Sequence, residues 1–306
     1  MPCGTLRYYS RVRARILLAM AATWFIWGST YLATALAVRD LPPFLLSGIR
    51  NVIAGSLLYG FFRGRGAARP TRQQWITAII VGVSLLALGN GSVTWAAHRE
   101  PSGVIALIVS LVPLWLLVFG WFGAKGVKPS GYEVAGVLLG LVGIALLVAP
   151  HEGGGNVSPL GLGVLLVSTL AWAGGSLYAR TLPPLPVPLI GTGMEMLMGG
   201  SVMLAVSAAS GEWAQLDRSD FTPRALTALA YLVLAGSVLG FSAYKWLLAN
   251  VRPALAGTYA FVNPVVAMIL GWLFAGEALT GRLILAMTTI VGAVAMISLR
   301  PYLNRR

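Results

Sequence analysis

The sequence has little cysteine, histidine or charge. Its 306 residues include one cysteine, Cys3, and two histidines, so an internal disulfide is impossible and a cysteine or histidine metal cluster lacks ligands. Charged residues make up 10% of the chain, against roughly a quarter in a soluble domain. The low charge argues against a soluble globular fold, and we expect neither a bound metal nor a cofactor.

Apolar residues dominate instead: 57% of the chain is hydrophobic and the mean hydropathy is +0.80. Apolar runs of about 20 residues, enough to cross a bilayer core of about 30 Å, recur along the whole length. Hydropathy therefore predicts an all-α membrane protein with ten transmembrane helices, at about 15–37, 43–62, 74–97, 102–123, 131–149, 159–180, 187–209, 224–248, 254–275 and 282–300.

The charge is strongly basic, with 22 Lys and Arg against 9 Asp and Glu. In a soluble protein this would suggest nucleic acid, but here the positive-inside rule explains it. With a cytoplasmic N-terminus, 15 basic residues fall on the cytoplasmic side and 5 on the other. We predict an integral protein of the cytoplasmic (inner) membrane with both termini cytoplasmic. Its partners are the lipid bilayer and a small-molecule substrate, with no nucleic acid; no oligomeric state is predicted.

The two halves of the chain resemble each other helix by helix. The motif GSTY (28–31) in the first helix corresponds to GSLY (175–178) in the sixth, and VPLWLLVFGW (112–121) in the fourth corresponds to NPVVAMILGW (263–272) in the ninth. Five helices per half is an odd number, so the second half must enter the membrane from the opposite side. This inverted repeat is typical of secondary transporters. It divides one membrane domain into residues 1–150 and 151–306.

Pro113 and Pro264 occupy corresponding positions in the fourth and ninth helices. Proline breaks or kinks a helix because it has no N–H and its ring clashes with the carbonyl four residues earlier. Packing would explain one isolated kink. Helices broken at corresponding positions indicate a transport site, and Asn263 adds a polar group beside one of them. We therefore expect Pro113, Asn263 and Pro264 to contact substrate.

With these features in place, the chain resembles the EamA-domain exporters of the drug/metabolite transporter superfamily over nearly its whole length. GVIALIVSLVPLWLLVFGW (103–121) is similar to the family's first-repeat pattern, and GTYAFVNPVVAMILGWLFAGEALTG (257–281) to its second. One departure is the turn AKGVKPS (124–130), where the family often has an acidic residue. The resemblance implies two EamA-type repeats around a central cavity, lined mainly by helices 1, 3, 4, 6, 8 and 9.

Aromatic residues lie near the middles of these cavity helices. Trp and Tyr concentrate at membrane interfaces, which does not explain mid-helix residues such as Trp24 and Trp27. Packing is an equal alternative for any single one. As a group they predict an aromatic-rich pocket for apolar or aromatic metabolites, or for cations. The aromatic candidates for substrate binding are Trp24, Tyr31, Trp172, Tyr178, Tyr244 and Tyr259, and Ser176 is added because helix 6 places it at matching depth.

Polar and charged residues inside predicted helices complete the candidate site. Asn90 and Thr94 would orient a zwitterion, although a threonine hydroxyl often bonds back to its own helix. Arg50, Glu195 and Lys245 are costly in lipid and are candidates for coupling or charge contact. Arg50 and Glu195 are repeat equivalents on opposite sides, so we do not expect them to pair. Snorkelling is the alternative for Arg50 and Lys245, whereas Glu195 is too short to snorkel and is the better proton site.

The sequence therefore predicts a secondary transporter that exports small metabolites, amino acids among them, by alternating access. A passive channel is an alternative, which would conduct without saturation or counterflow. A membrane-embedded enzyme is a weaker one. It has little to use, because His98 and His151 lie in short external loops and no predicted helix carries paired acids or a ligand cluster.

Overall fold

A computed structural model describes residues 3–100, 105, 108–122, 126, 128–148, 158–182, 187–275 and 281–303. Throughout this part of the chain the regular structure is helical and no strand occurs, which confirms the predicted all-α class. The main helices are Cys3–Ala37 (α1), Pro43–Gly64 (α2), Arg72–Ala96 (α3), Val112–Phe122 (α4), Gly131–Val148 (α5), Pro159–Thr181 (α6), Pro188–Ala209 (α7), Pro223–Asn250 (α8), Tyr259–Ala275 (α9) and Gly281–Leu303 (α10).

Six helices within the described residues are long and apolar enough to cross a membrane: α1 from Arg13 onward, α2, α3, α6, α7 and α8. Three further apolar stretches are shorter, at Val112–Phe122, Gly131–Leu146 and Ile284–Ile297. The chain is thus an integral membrane protein. Ten crossings in two inverted repeats stay a prediction.

The sequence marks where several helices begin. Proline is the first residue of α2, α6, α7 and α8, because its fixed φ suits a helix start and its missing N–H has no partner there anyway. α3 begins with a capping box instead. Gln74 N donates to Thr71 Oγ1 (3.3 Å), and Thr71 N donates to Gln74 Oε1 (2.8 Å).

The packing partners of the helices recur between the two halves. α2 packs along α7, and α5 packs along α10. α1 contacts α8 and α9, and in the same way α6 contacts α3 and α4. Exchanging each helix for the one five further along leaves this pattern unchanged. Glycines allow the α2–α7 contact. A Cβ on Gly55 would lie 2.7 Å from the carbonyl oxygen of Gly193, and one on Gly200 would lie 2.8 Å from the amide nitrogen of Val52.

α3 and α8 both contain a wider stretch at a similar position. Val83–Gly91 and Leu232–Phe241 are π-helical, with backbone hydrogen bonds to the carbonyl five residues earlier. Such segments are rare and are frequent at functional sites. Hydropathy predicted uninterrupted helices here, since an apolar run looks the same in either helix type.

The two proline-containing helices are interrupted before their prolines. Residues 110–111 form a turn ahead of α4, and Pro113 is the second residue of that helix. In the second half, a turn at residues 257–258 separates the short helix Pro253–Ala256 from α9, which then runs through Pro264. The break predicted at Pro264 therefore lies six residues earlier. Gly257 in this turn packs closely against α4, since a Cβ there would lie 2.9 Å from Leu116 Cδ1.

Candidate functional site

A cavity lies between α1, α2, α3, α6, α8, α9 and the residues leading into α4; together with its open mouth it encloses about 1200 Å³ of empty space. Ala35 and Ala97, at the ends of α1 and α3, line it and are exposed. Trp27 and Trp172 line its other end and are buried. The cavity is therefore open at one end and closed at the other. Its helices are those that the family resemblance implies, with α2 in addition.

Five aromatic residues close the buried end, and we call them the aromatic floor: Trp27, Trp172, Phe241, Tyr244 and Tyr259. The ring of Trp27 lies at the centre, with its centroid 4.7 Å from that of Tyr259, 5.2 Å from that of Tyr244 and 5.7 Å from that of Trp172. The contacts with Tyr259 and Trp172 are edge to face, the geometry that aromatic quadrupoles favour. The floor is thus a close-packed layer joining four helices.

Hydrogen bonds fix the polar tips of these rings. Trp27 Nε1 donates to the carbonyl of Gly236 at 3.0 Å, across from α1 to α8. Trp172 Nε1 donates to the Tyr244 hydroxyl at 3.2 Å, and that hydroxyl is also 2.7 Å from Ser176 Oγ. A buried ring with a satisfied polar atom is held in one orientation, so the floor ties α6 and α1 to α8.

Arg50 and Glu100 carry the charges among the described residues that line the cavity. Arg50 is 8% exposed, and its Nε donates to Ser237 Oγ at 2.8 Å. It is therefore held inside the protein and does not snorkel. Glu100 lies near the open end and accepts hydrogen bonds from the backbone and hydroxyl of Ser158, which caps α6.

Glu195 and Lys245 form an ion pair away from the cavity wall. Lys245 Nζ lies 2.8 Å from Glu195 Oε1, joining α7 to α8. Glu195 Oε2 is buried and has no partner within the described residues. Arg50 and Glu195 have different partners, as expected. Sequence reasoning missed the Glu195–Lys245 pair, since the two residues belong to different helices and no local spacing relates them.

Outside the membrane-spanning segments, Asp40 joins the α1–α2 turn to the start of α8. Its carboxylate accepts from Arg224 Nη2 and from Thr222 Oγ1, both at 2.6 Å. Hydrogen bonds from Arg224, and next from Thr222, hold the pKa of this carboxyl below its ordinary value. The turn that follows the open end of the cavity is therefore fastened to α8.

Six of the twelve predicted substrate-binding residues line the cavity: Tyr31, Asn90, Thr94, Trp172, Tyr259 and Asn263. Thr94 Oγ1 donates to the Asn90 carbonyl and accepts from Ser47 Oγ, each at 3.0 Å. This is the back-bonding that we gave as its alternative. Asn90 Oδ1 is buried and unpartnered in the described part of the chain.

Asn263 links α9 to α1. With the amide oriented so that both its atoms are satisfied, Nδ2 donates to the carbonyls of Trp24 (3.1 Å) and Tyr259 (3.0 Å). A Cβ on Gly28 would lie 2.6 Å from Val266 Cβ, so the two helices are close at this level. The amide group therefore packs two helices together as well as facing the cavity.

The other six predicted residues are not among those that line the cavity: Trp24, Pro113, Ser176, Tyr178, Tyr244 and Pro264. Trp24 Nε1 donates to Thr258 Oγ1 at 3.2 Å, Tyr244 is part of the aromatic floor, and Ser176 is hydrogen-bonded to the Tyr244 hydroxyl. Tyr178 is 38% exposed. Six positions separate it from Trp172, which at about 100° per residue places the two side chains about 120° apart around α6.

The cavity wall also contains polar side chains that sequence reasoning missed: Thr30, Thr34, Asn51, Glu100, Ser168, Thr169 and Ser237. Helical spacing offered a signal for some of them. Thr30 and Thr34 lie three and seven positions after Trp27, and Ser168 lies four before Trp172. Ser237 had no such signal, because its orientation depends on the π-helical stretch of α8.

The EamA-like transporter family model matches the chain twice, over residues 14–149 and 159–299. The chain belongs to the EamA-like transporter family. The two matched segments correspond to the two halves whose packing recurs. Membership makes this EamA-like protein a membrane transporter and argues against the embedded enzyme.

Individual relatives of this EamA-like transporter cover almost all of it. It is 40% identical over 290 residues to the inner membrane transporter YedA of Escherichia coli (strain K12), covering 93% of this chain and 91% of that protein. It is 28% identical over 288 residues to the protein PecM of Dickeya dadantii, covering 92% and 91%. A crystal structure 20% identical superposes with a TM-score of 0.79, covering 96% of this chain and 99% of that one. That likeness bears on the fold alone.

Proposed function

We propose that the protein is a secondary transporter of the cytoplasmic membrane that exports small metabolites, with amino acids and related aromatic or apolar compounds as substrates. Membership of a transporter family supports transport, and the name of YedA as an inner membrane transporter supports the location. Both termini are cytoplasmic in this proposal, as the distribution of basic residues predicts.

The observation that carries the proposal is a cavity open at one end and sealed at the other by the aromatic floor. Alternating access requires such a barrier on one side of a central site, with a second arrangement that opens the other side. A passive channel would need a continuous path instead. With a cytoplasmic N-terminus, the open end near Ala35 and Ala97 faces outward.

The chemistry of the wall supports the proposed substrate class. Trp172 and Tyr259 offer aromatic surface at the closed end, while Asn90 and Thr94 offer polar groups above it. Pockets of this kind combine an apolar body with a few polar groups that orient the ligand. Glu195 and Lys245 are proposed to act in coupling, since an ion pair inside a membrane segment is costly to keep without a function.

Counterflow in proteoliposomes tests the proposal. Vesicles loaded with an excess of unlabelled phenylalanine, leucine or threonine receive a trace of the labelled compound outside. A carrier accumulates label transiently above equilibrium, whereas a channel only equilibrates it. Protein-free vesicles are the control. Flux that rises linearly with concentration, with no transient accumulation, would replace the carrier by a channel.

A further inference from the structure

Arg50 is a buried cation without an anionic partner in the described part of the chain. The residue lines the cavity and is 8% exposed, and its guanidinium donates a hydrogen bond to a neutral hydroxyl, Ser237 Oγ. The acidic residues that the structure describes inside or beside the helix bundle are engaged elsewhere: Asp40 with Arg224, Glu133 with Arg252, Glu195 with Lys245, Glu100 with Ser158, and Glu212 with the first amides of α2.

Such a charge calls for a counter-ion. Most buried ionisable groups escape the desolvation cost by pairing or by losing their charge. Arginine stays protonated in proteins, so only pairing is open to it. Because the guanidinium of Arg50 faces the cavity, an anion can reach it from there.

The surroundings of Arg50 hold its guanidinium in place and keep part of it available. Ser237 Oγ engages Nε, and Nη2 lies against Gly236, where a Cβ would come within 2.9 Å of it. Gly236 and Ser237 both belong to the π-helical stretch of α8. The Nη groups retain the paired N–H donors with which arginine binds a carboxylate through two parallel hydrogen bonds.

We propose that Arg50 binds the carboxylate of the transported molecule, whose apolar or aromatic body lies against Trp172 and Tyr259. This names a recognition group for the substrate class and rests on the proposed function. A carboxylate fits better than a phosphate, because the single guanidinium matches one negative charge and would leave a dianion half neutralised.

Matched probes test the inference on the full-length protein in detergent, with binding followed by tryptophan fluorescence. The probes are 3-phenylpropionate and its uncharged amide, 3-phenylpropanamide. We expect the acid to bind at least tenfold more tightly than the amide. Arg50→Gln should weaken binding of the acid about 10- to 100-fold, as for hydrogen bonds to a charged group, and change binding of the amide less than about threefold. Arg39→Gln, the same change at an exposed residue outside the cavity wall, should alter neither.

Two further variants keep the test decisive should Arg50→Gln fail to fold. Arg50→Lys retains the charge but loses the paired donors of the guanidinium. Ser237→Ala removes the hydrogen-bond partner of Nε and leaves the cation in place. Each variant should weaken binding of the acid by about three- to tenfold and leave binding of the amide unchanged. Equal binding of acid and amide, absence of acid binding to the wild type, or tighter binding of phenyl phosphate than of the acid would overturn the inference.

Counterflow separates this inference from the proposed function. Arg50-dependent binding of 3-phenylpropionate without counterflow would leave the carboxylate site standing and remove the transport proposal for that class. Counterflow of an amine or amide that is indifferent to Arg50→Lys, with no preference for the acid, would do the reverse.

Discussion

Lys245 and Glu195 form a 2.8 Å ion pair between α8 and α7, and Glu195 is the counterpart in the second half of Arg50 in the first. Arg50 lies seven residues after Pro43, the first residue of α2, and Glu195 lies seven residues after Pro188, the first residue of α7. Arg50 lines the open cavity, whereas Glu195 is buried and is not among the described residues that line it. If the halves exchange roles during transport, Glu195 becomes the residue that faces an opening on the other side.

Glu195→Gln should lower thermal stability and change transport. It removes the carboxylate partner of Lys245, whose side chain is 17% exposed; breaking a fully buried pair costs about 3–5 kcal/mol, so we expect a loss below that range. We also expect the pH dependence or the rate of counterflow to change. The double variant Glu195→Gln/Lys245→Met should recover most of the melting temperature, since no unmatched charge remains. Wild-type stability and an unchanged transport rate across pH in the single variant would reduce Glu195 to a packing residue.

Gly55→Ala should destabilise the protein by about 1–3 kcal/mol, because the new methyl group has no room between α2 and α7. Its Cβ would lie 2.7 Å from backbone atoms of Gly193 and Leu197. Gly60→Ala on the same helix is the matched control, with no atom within 4 Å of the added Cβ. Melting temperatures of both variants in detergent decide the point, and equal values would mean that α2 and α7 separate at little cost.

Asn263→Leu should weaken substrate binding and also reduce stability, since it leaves the carbonyls of Trp24 and Tyr259 without the amide donor. A buried polar group that loses its partner costs about 1–3 kcal/mol. Pro264→Ala restores a backbone N–H within α9 and should mainly slow turnover, as changes in a moving element do. Affinity, melting temperature and counterflow rate are measured on both. Normal affinity in Asn263→Leu would make Asn263 a residue that only packs α1 against α9.

Single-cysteine labelling should find residue 217 accessible from outside intact cells and residue 65 accessible only after permeabilisation. The variants are Asp217→Cys and Arg65→Cys in a Cys3→Ser background, and both positions lie in polar connections between helices. The distribution of basic residues predicts this orientation. A second external site, Glu277, lies outside the described residues. External labelling at position 65 in intact cells would reverse the orientation.

The contact of Asp40 with Arg224 and Thr222 should stabilise the protein at neutral pH and not in acid. Its carboxyl has a lowered pKa in the folded state, against about 3.9 when unfolded. The stabilisation is therefore present above the unfolded pKa and is lost as the pH falls through the folded one. Melting temperatures of wild type and Asp40→Asn should differ at pH 7 and converge as the medium becomes strongly acidic. A difference that persists unchanged would assign the effect to packing.

Hydropathy and helix-starting residues predicted the class and several of the helices. Apolar runs and helix-starting prolines such as Pro43, Pro159 and Pro188 are local signals, and their positions agree closely with the observed bounds. The direction of side chains was harder to predict, because it depends on long-range packing. Tyr178 and Trp172 belong to the same helix and the same aromatic pattern, yet they face different sides of α6.

Pairings between distant residues left no local trace. Lys245 and Glu195 are 50 positions apart, and Arg50 and Ser237 are 187 apart. Only the three-dimensional packing brings either pair together. The π-helical stretches were also invisible, although glycine-containing runs such as GNGS (89–92) and AGS (235–237) fall within or beside both.

The two π-helical stretches mark where a change of helix type would rotate part of α3 or α8. A π turn accommodates one residue more than an α turn, so a turn that tightened to α geometry would rotate everything beyond it by about 100° about the helix axis. In α8 the residues affected would include Tyr244 and Lys245, and in α3 they would include Thr94. A rotation of that size would carry the Tyr244 hydroxyl away from Ser176 and Trp172. The aromatic floor, which seals one end of the cavity, could then separate through the rotation of one helix. The close glycine contacts between α2 and α7 would be unaffected.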